Sequence, residues 1–250
     1  MIMEKKMNIL IIHGWMHSSK LYTKLKHDLE KNEKYNVFLY ELAGFGSQPA
    51  KYKTNIIESY SKELEFFLIK NKIDVIIAHS LGGNVLLRAT EKIKINRILL
   101  SPEYKGIGLL KFVMPLTVFG VQFLKFLKHN NILTTFILKV LSLFTINSWS
   151  SITDDVIDSA READPEVAIE LLKEMYNDNY VAKESELMTF LIIGEKDRII
   201  TKEKMLELQK DLGRVELIVI NGIGHTAVLE DYNSLYNYIT RICKGVRDEC

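Results

Sequence analysis

Hydrophobic residues fall along this chain in two alternating patterns. Short, predominantly apolar runs occupy 8–12, 37–42, 74–78, 95–100, 188–193 and 215–220. Each has the length of a strand and lacks strict polar alternation, which predicts strands buried on both faces. Between them, apolar positions recur at helical spacing. Leu21, Leu25 and Leu29 mark a helix over 19–31, and Tyr60, Leu64, Phe67 and Leu68 mark one over 56–71. The segments 81–92, 202–212 and 232–244 read the same way. Strands alternating with helices predict an α/β fold: a mostly parallel sheet of about six strands with helices on both faces. In such sheets, binding and chemistry gather at the carboxyl ends of the strands.

The interval 103–186 breaks this rhythm. It offers no convincing strand, and it is expected to form a helical cap inserted into a core made of 1–102 and 187–250. Segment 112–127 is apolar and holds Pro115, a helix start or kink. In 131–145, Asn131, Thr134, Thr135, Lys139, Ser142 and Thr145 gather on one arc of a helical wheel. Ile132, Phe136, Ile137, Val140, Leu141, Leu143 and Phe144 fill the rest. Asp164-Pro165 is an N-cap and first-turn proline for a helix over 166–176. Charge is polarised along the interval. Lys105, Lys111, Lys125, Lys128 and Lys139 lie in a stretch without acids, and acids dominate from Asp154 to Glu186. One reading is helical pairs with solvated charged faces. The other is a basic, apolar half that faces a lipid surface or an acidic acyl carrier.

Composition narrows the classes. The chain has 250 residues, 47% of them hydrophobic, enough for a large core. Its net charge of +1 gives no global basic field for nucleic acid. Cys243 and Cys250 form neither a disulfide scaffold nor a metal spacing. No run reaches the ~20 apolar residues of a membrane span. The first apolar run, 9–12, is too short for a signal-peptide core, so a cytoplasmic location is expected.

The candidate chemistry begins at Ala78-His79-Ser80-Leu81-Gly82-Gly83. A strand, a tight turn and a helix place a hydroxyl at the apex, as in the nucleophile elbow G-x-S-x-G with Ala78 in place of the first glycine. Serine needs a base, and the base needs a group to orient it. Gly194-Glu195-Lys196-Asp197 follows the fifth run, and Gly222-Ile223-Gly224-His225 follows the sixth. Ser80, Asp197 and His225 therefore all fall at carboxyl ends of predicted strands, in the order serine, acid, histidine.

With these pieces, and with His13-Gly14-Trp15 and Gly44-Phe45-Gly46-Ser47, the chain resembles a capped, esterase-like serine hydrolase of the α/β-hydrolase superfamily. The resemblance spans the chain apart from the cap. It implies a Ser80–His225–Asp197 triad without cofactor or metal, and an oxyanion hole formed by the backbone N–H groups of Trp15 and Leu81. The His-Gly-Trp form and Leu81 also resemble the methyl esterases of biotin precursor synthesis, which act on a carrier-bound acyl chain. Few residues precede Asn8, so the family's usual leading hairpin is expected to be absent and the sheet entirely parallel. The expected substrate is a small ester or thioester with an apolar acyl group, free or carrier-bound.

Other readings of these residues stand beside this one. Ser80 could be an ordinary helix N-cap, Glu103 at the end of the fourth run could be the acid, and Asp197 and His225 could be turn residues. His79 is expected to pack beneath the elbow. His13 and His17 lack a third metal ligand. Gly44-Phe45-Gly46 reads as a turn rather than a dinucleotide fingerprint. C–C bond hydrolysis, lyase chemistry and a non-catalytic binding role remain alternatives on the same fold.

Overall fold

The computed structural model describes residues 6–91, 93–106, 131–143 and 146–248. Six strands form one sheet in the order β2-β1-β3-β4-β5-β6, and every neighbouring pair is parallel. They are β1 (Met7–Ile12), β2 (Tyr35–Tyr40), β3 (Val75–His79), β4 (Asn96–Leu100), β5 (Ser185–Gly194) and β6 (Gly213–Ile220). The helices of the core are α1 (Thr23–Glu30), α2 (Ile56–Asn71) and α3 (Leu81–Ala89). The inserted interval adds α4 (Asn131–Ser142), α5 (Asp154–Glu162) and α6 (Pro165–Tyr176). The core resumes with α7 (Lys202–Leu212), the single turn α8 (Ala227–Glu230) and α9 (Tyr232–Asp248).

Side-chain alternation along each strand divides the core in two. Leu10, Ile12, Ile76 and Ala78 face a cluster with α2, α3 and α7. Ile9, Ile11, Val75 and Ile77 face a cluster with α1 and α9. Burial on both faces explains why the strands read as apolar runs. The order reverses at β1, which lies between β2 and β3. The carboxyl ends of β1 and β3 therefore flank a topological switch point, where open α/β sheets form their crevices.

The described part of the insertion divides between these clusters. Leu138 of α4 and Val156 and Ile157 of α5 join the α1–α9 side. Val167, Leu171, Leu172 and Met175 of α6 join the α2–α3 side. β5 begins at Ser185, so the cap interval drawn from sequence overruns the core by two residues. Among the described side chains of α4, Leu138 is buried, while Ile132 and Phe136 are exposed. Thr135, on the polar arc, accepts a hydrogen bond from Arg161 of α5. The expectations placed on 112–127, on Lys111, Lys125 and Lys128, and on Phe144 and Thr145 lie outside the described residues.

Asp164 docks the insertion onto the core. Its carboxylate accepts the N–H groups of Glu166 (2.9 Å) and Val167 (3.1 Å). Its own N–H donates to the Gly44 carbonyl at 2.7 Å. Gly44 has φ 89°, and a Cβ there would stand 2.8 Å from Val167 Cγ1. The Gly44-Phe45-Gly46 segment is thus a turn on which α6 rests. Asp164→Ala should lower unfolding stability by about 1 kcal/mol, the usual worth of an N-cap, measurable by urea denaturation.

Candidate active site

Ser80 sits between β3 and α3 with φ 50° and ψ −116°, a conformation that costs a non-glycine residue on the order of 1–3 kcal/mol. The end of β4 holds it there. Ser80 N–H donates to the Leu100 carbonyl at 3.0 Å. The Ser80 carbonyl accepts from Gly83 N–H at 2.8 Å and Glu103 N–H at 3.0 Å. Close packing explains the glycines that follow. A Cβ on Gly82 would lie 2.6 Å from the His13 carbonyl oxygen, and one on Gly83 would lie 2.5 Å from Pro102 Cβ.

The loops after β5 and β6 bring together Asp197 and His225. His225 Nδ1 lies 2.8 Å from Asp197 Oδ2. Asp197 Oδ1 accepts the N–H groups of Ile199 and Ile200, both at 2.9 Å, so the carboxylate has little freedom to turn. Burial opposes its charge, but the His225 contact, the Ile200 N–H and the Ser101 hydroxyl hold the carboxyl below its usual range. An ionised Oδ2 accepts, so Nδ1 carries the ring proton and Nε2 keeps its lone pair. Among the described residues no hydrogen bond joins Ser80 Oγ to His225, as is common before substrate binds.

The two loops are fastened to each other. Glu195 N–H donates to the Ile220 carbonyl at 2.9 Å, and Lys196 N–H to the Ile223 carbonyl at 2.8 Å. A Cβ on Gly194 would fall 2.1 Å from the Gly224 carbonyl oxygen, which leaves room for glycine alone. Glu230 of α8 accepts N–H groups from Gly224 (3.0 Å) and Thr226 (3.4 Å), on either side of His225. It also accepts Asn147 N–H of the insertion at 3.0 Å. Sequence reasoning missed Glu230. Its position five residues after His225 was the available signal.

The loop after β1 lies directly against the elbow. A Cβ on Gly14 would stand 2.9 Å from His79 Nδ1 and 3.1 Å from Ser80 Cβ. Neither Trp15 N–H nor Leu81 N–H has an acceptor among the described residues. The Trp15 indole donates to the Ala168 carbonyl of α6 at 3.0 Å, tying this loop to the insertion. His13 is occupied by Gly14 O at 2.8 Å, Leu42 N–H at 3.1 Å and Glu41 Oε1 at 3.0 Å. Burial, with His13 and His225 nearby, pushes His17 down to about 3. Among the described residues no group of three His, Cys, Asp or Glu side chains is placed to hold a metal.

The model of the alpha/beta hydrolase family matches residues 9–235. The chain belongs to the alpha/beta hydrolase family. In structure it is similar to a thermophilic esterase from Thermogutta terrifontis, with TM-score 0.76 and 17% identity over 97% of this chain and 91% of that one. An esterase from Exiguobacterium antarcticum aligns with TM-score 0.75 and 13% identity, over 96% of this chain and 92% of that one. MenH from S. aureus aligns with TM-score 0.73 and 17% identity, over 98% and 96%. At these identities the likeness is one of fold. No curated protein matches the sequence. Among the described residues, no helix of this hydrolase-family chain is long and apolar enough to cross a membrane.

Glu103 serves a different cluster in this hydrolase fold. It is fully buried, and its carboxylate accepts from Asn84 Nδ2 and from Gly106 N–H at 3.1 Å. Asn84 Nδ2 also donates to Asp178 at 2.5 Å, and Arg88 pairs with Asp178 at 2.5 Å. Burial and the Asp178 charge push Glu103 up to about 8, against the pull of Asn84, Gly106 and Arg88. A carboxyl raised in the folded state favours folding while protonated. Its contribution is full below the ordinary carboxylate range and is lost as pH rises toward about 8. Wild-type stability should therefore fall between pH 5 and pH 8 by more than that of Glu103→Gln, in thermal melts of both proteins across that range.

Proposed function

We propose that this protein is a serine hydrolase of carboxylic esters or thioesters. Ser80 is the nucleophile, His225 the general base and acid, and Asp197 the group that orients His225. The observation that carries this reading is the 2.8 Å contact between His225 Nδ1 and Asp197 Oδ2, set at the same sheet edge as the left-handed Ser80.

In this mechanism, Ser80 Oγ attacks the acyl carbon while His225 Nε2 takes the hydroxyl proton. The imidazolium is stabilised by Asp197. The carbonyl oxygen becomes an oxyanion, which the N–H groups of Trp15 and Leu81, without an acceptor among the described residues, are suited to receive. Each such donor is worth about 3 kcal/mol in the transition state. Collapse of the tetrahedral species breaks the C–O or C–S bond, and His225 passes the proton to the departing alcohol or thiol. Water then attacks the acyl-enzyme, giving its proton to His225; the acyl–Ser80 Oγ bond breaks, His225 returns that proton to Oγ, and the carboxylic acid is released. The whole cycle consumes one water and needs no redox cofactor.

An apolar acyl group suits the Leu, Ile and Phe content of the insertion. Trp15 supports a site beneath the insertion, because its indole is bound to Ala168 while the residue before it, Gly14, packs against Ser80. A free ester and a carrier-bound one share this chemistry and differ in what lies beyond the leaving group.

The test is a chain-length series of aryl esters assayed beside a carrier-bound ester. Measurable kcat/KM should rise with acyl length to an optimum, and Ser80→Ala should lower kcat on the order of 10⁴–10⁶-fold. Wild-type rates in Ser80→Ala, or cleavage of ring-opened dienones with no ester turnover, would overturn the assignment.

A further inference from the structure

The elbow's shape accounts for small residues at Ala78 and Gly82 but does not call for an imidazole at position 79. His79 is nonetheless buried there, with its ring against those of two other histidines. Its centroid lies 5.4 Å from that of His17, stacked at 14°, and 4.9 Å from that of His225, tilted at 45°. His79 Nε2 is 3.0 Å from the backbone carbonyl oxygen of His225. A carbonyl can only accept, so Nε2 carries the proton and the ring is the ε tautomer. The other nitrogen, Nδ1, is buried against Gly14 and has no partner among the described residues.

We propose that His79 is a positioning residue for His225. It presents a neutral N–H that holds the carbonyl of the base's own peptide, and so sets where the imidazole reaches between Asp197 and Ser80. The proposal rests on the reading of Ser80 and His225 as reaction partners. Among the described residues, His79 is the one donor to that carbonyl. Glu230 restrains the N–H groups of Gly224 and Thr226, so His79 completes the restraint at the residue between them. Nucleophile and base are then coupled through a single side chain, since His79 is joined by its peptide to Ser80.

Chemistry at this place favours a neutral donor. Burial comes first, and the neighbouring His225 and His17 rings add to it; together they hold His79 uncharged. A lysine or arginine here would put a cation beside the ring that must become an imidazolium during turnover. A neutral imidazole makes the same hydrogen bond without that repulsion.

Two variants separate positioning from packing. His79→Phe keeps an aromatic ring of similar volume and removes the N–H. His79→Gln carries an N–H at nearly the reach of Nε2. On an aryl ester, His79→Phe should lower kcat about tenfold to a hundredfold, the scale of a 1 Å displacement in a reacting pair. KM should stay within about twofold, because the substrate is still bound as before. His79→Gln should restore most of kcat. A second readout needs no turnover: the His225 Nδ1–H proton, bound to Asp197, should give a downfield proton resonance in wild type and His79→Gln and a broadened or absent one in His79→Phe.

An unchanged kcat and an intact resonance in His79→Phe would overturn the proposal. So would His79→Gln being impaired as severely as His79→Phe. If the wild-type protein turns over no ester, the hydrolase reading fails, and the resonance still decides whether His79 positions His225.

Discussion

The left-handed backbone at Ser80 constrains everything around it. A serine in that conformation projects its hydroxyl past the end of β3 only while the neighbouring chain keeps it from relaxing. Its N–H donates to the Leu100 carbonyl, and its carbonyl accepts from the Gly83 and Glu103 N–H groups. The start of α3 must then pass beneath the His13 carbonyl and beside Pro102, which only Gly82 and Gly83 permit. Stability in the α3 region is thereby committed to one geometry. The buried Asn84–Glu103–Asp178 cluster lies directly behind it, and its hydrogen bonds join α3 to the segment after β4.

The same edge of the sheet supplies Asp197 and His225 from different strands, and their alignment is a backbone matter. Gly194 lets the β5 end touch the Gly224 carbonyl, and two further hydrogen bonds zip the loops together. Asp197 is locked by two N–H groups on the oxygen that does not meet His225. Glu230 extends this order outward, since one carboxylate gathers the histidine loop and Asn147 of the insertion. Trp15 does the equivalent on the other side through Ala168. Both ties link the insertion to loops that border Ser80 and His225, so movement of the insertion would be felt at the site.

Features written into neighbouring residues were legible in the sequence. The six apolar runs became six parallel strands, and 56–71 and 202–212 became helices with those bounds. Ala78–Gly83, Gly194–Asp197 and Gly224–His225 are local turn signals, and each lies where strand order predicts. What was illegible depends on partners far apart in the chain. The His79 bond to the His225 carbonyl spans 146 residues, and the Asn84–Asp178 bond spans 94. Nothing near Glu103 separates a buried structural carboxyl from a catalytic one, since both end a strand. Asp154–Glu162 escaped assignment for another reason: only Val156, Ile157 and Ala160 are apolar in it, so its helical period is faint despite acids in the first turn.

The account stands on Ser80 being an activated nucleophile rather than a helix cap. The direct measurement is labelling of the native protein with a fluorophosphonate, followed by peptide mass mapping. The account predicts a single phosphonylated peptide, modified at Ser80, with labelling suppressed when His225 is replaced by Gln. Absence of label on Ser80 in the folded wild-type protein, or equal labelling of Ser80 without His225, would contradict it.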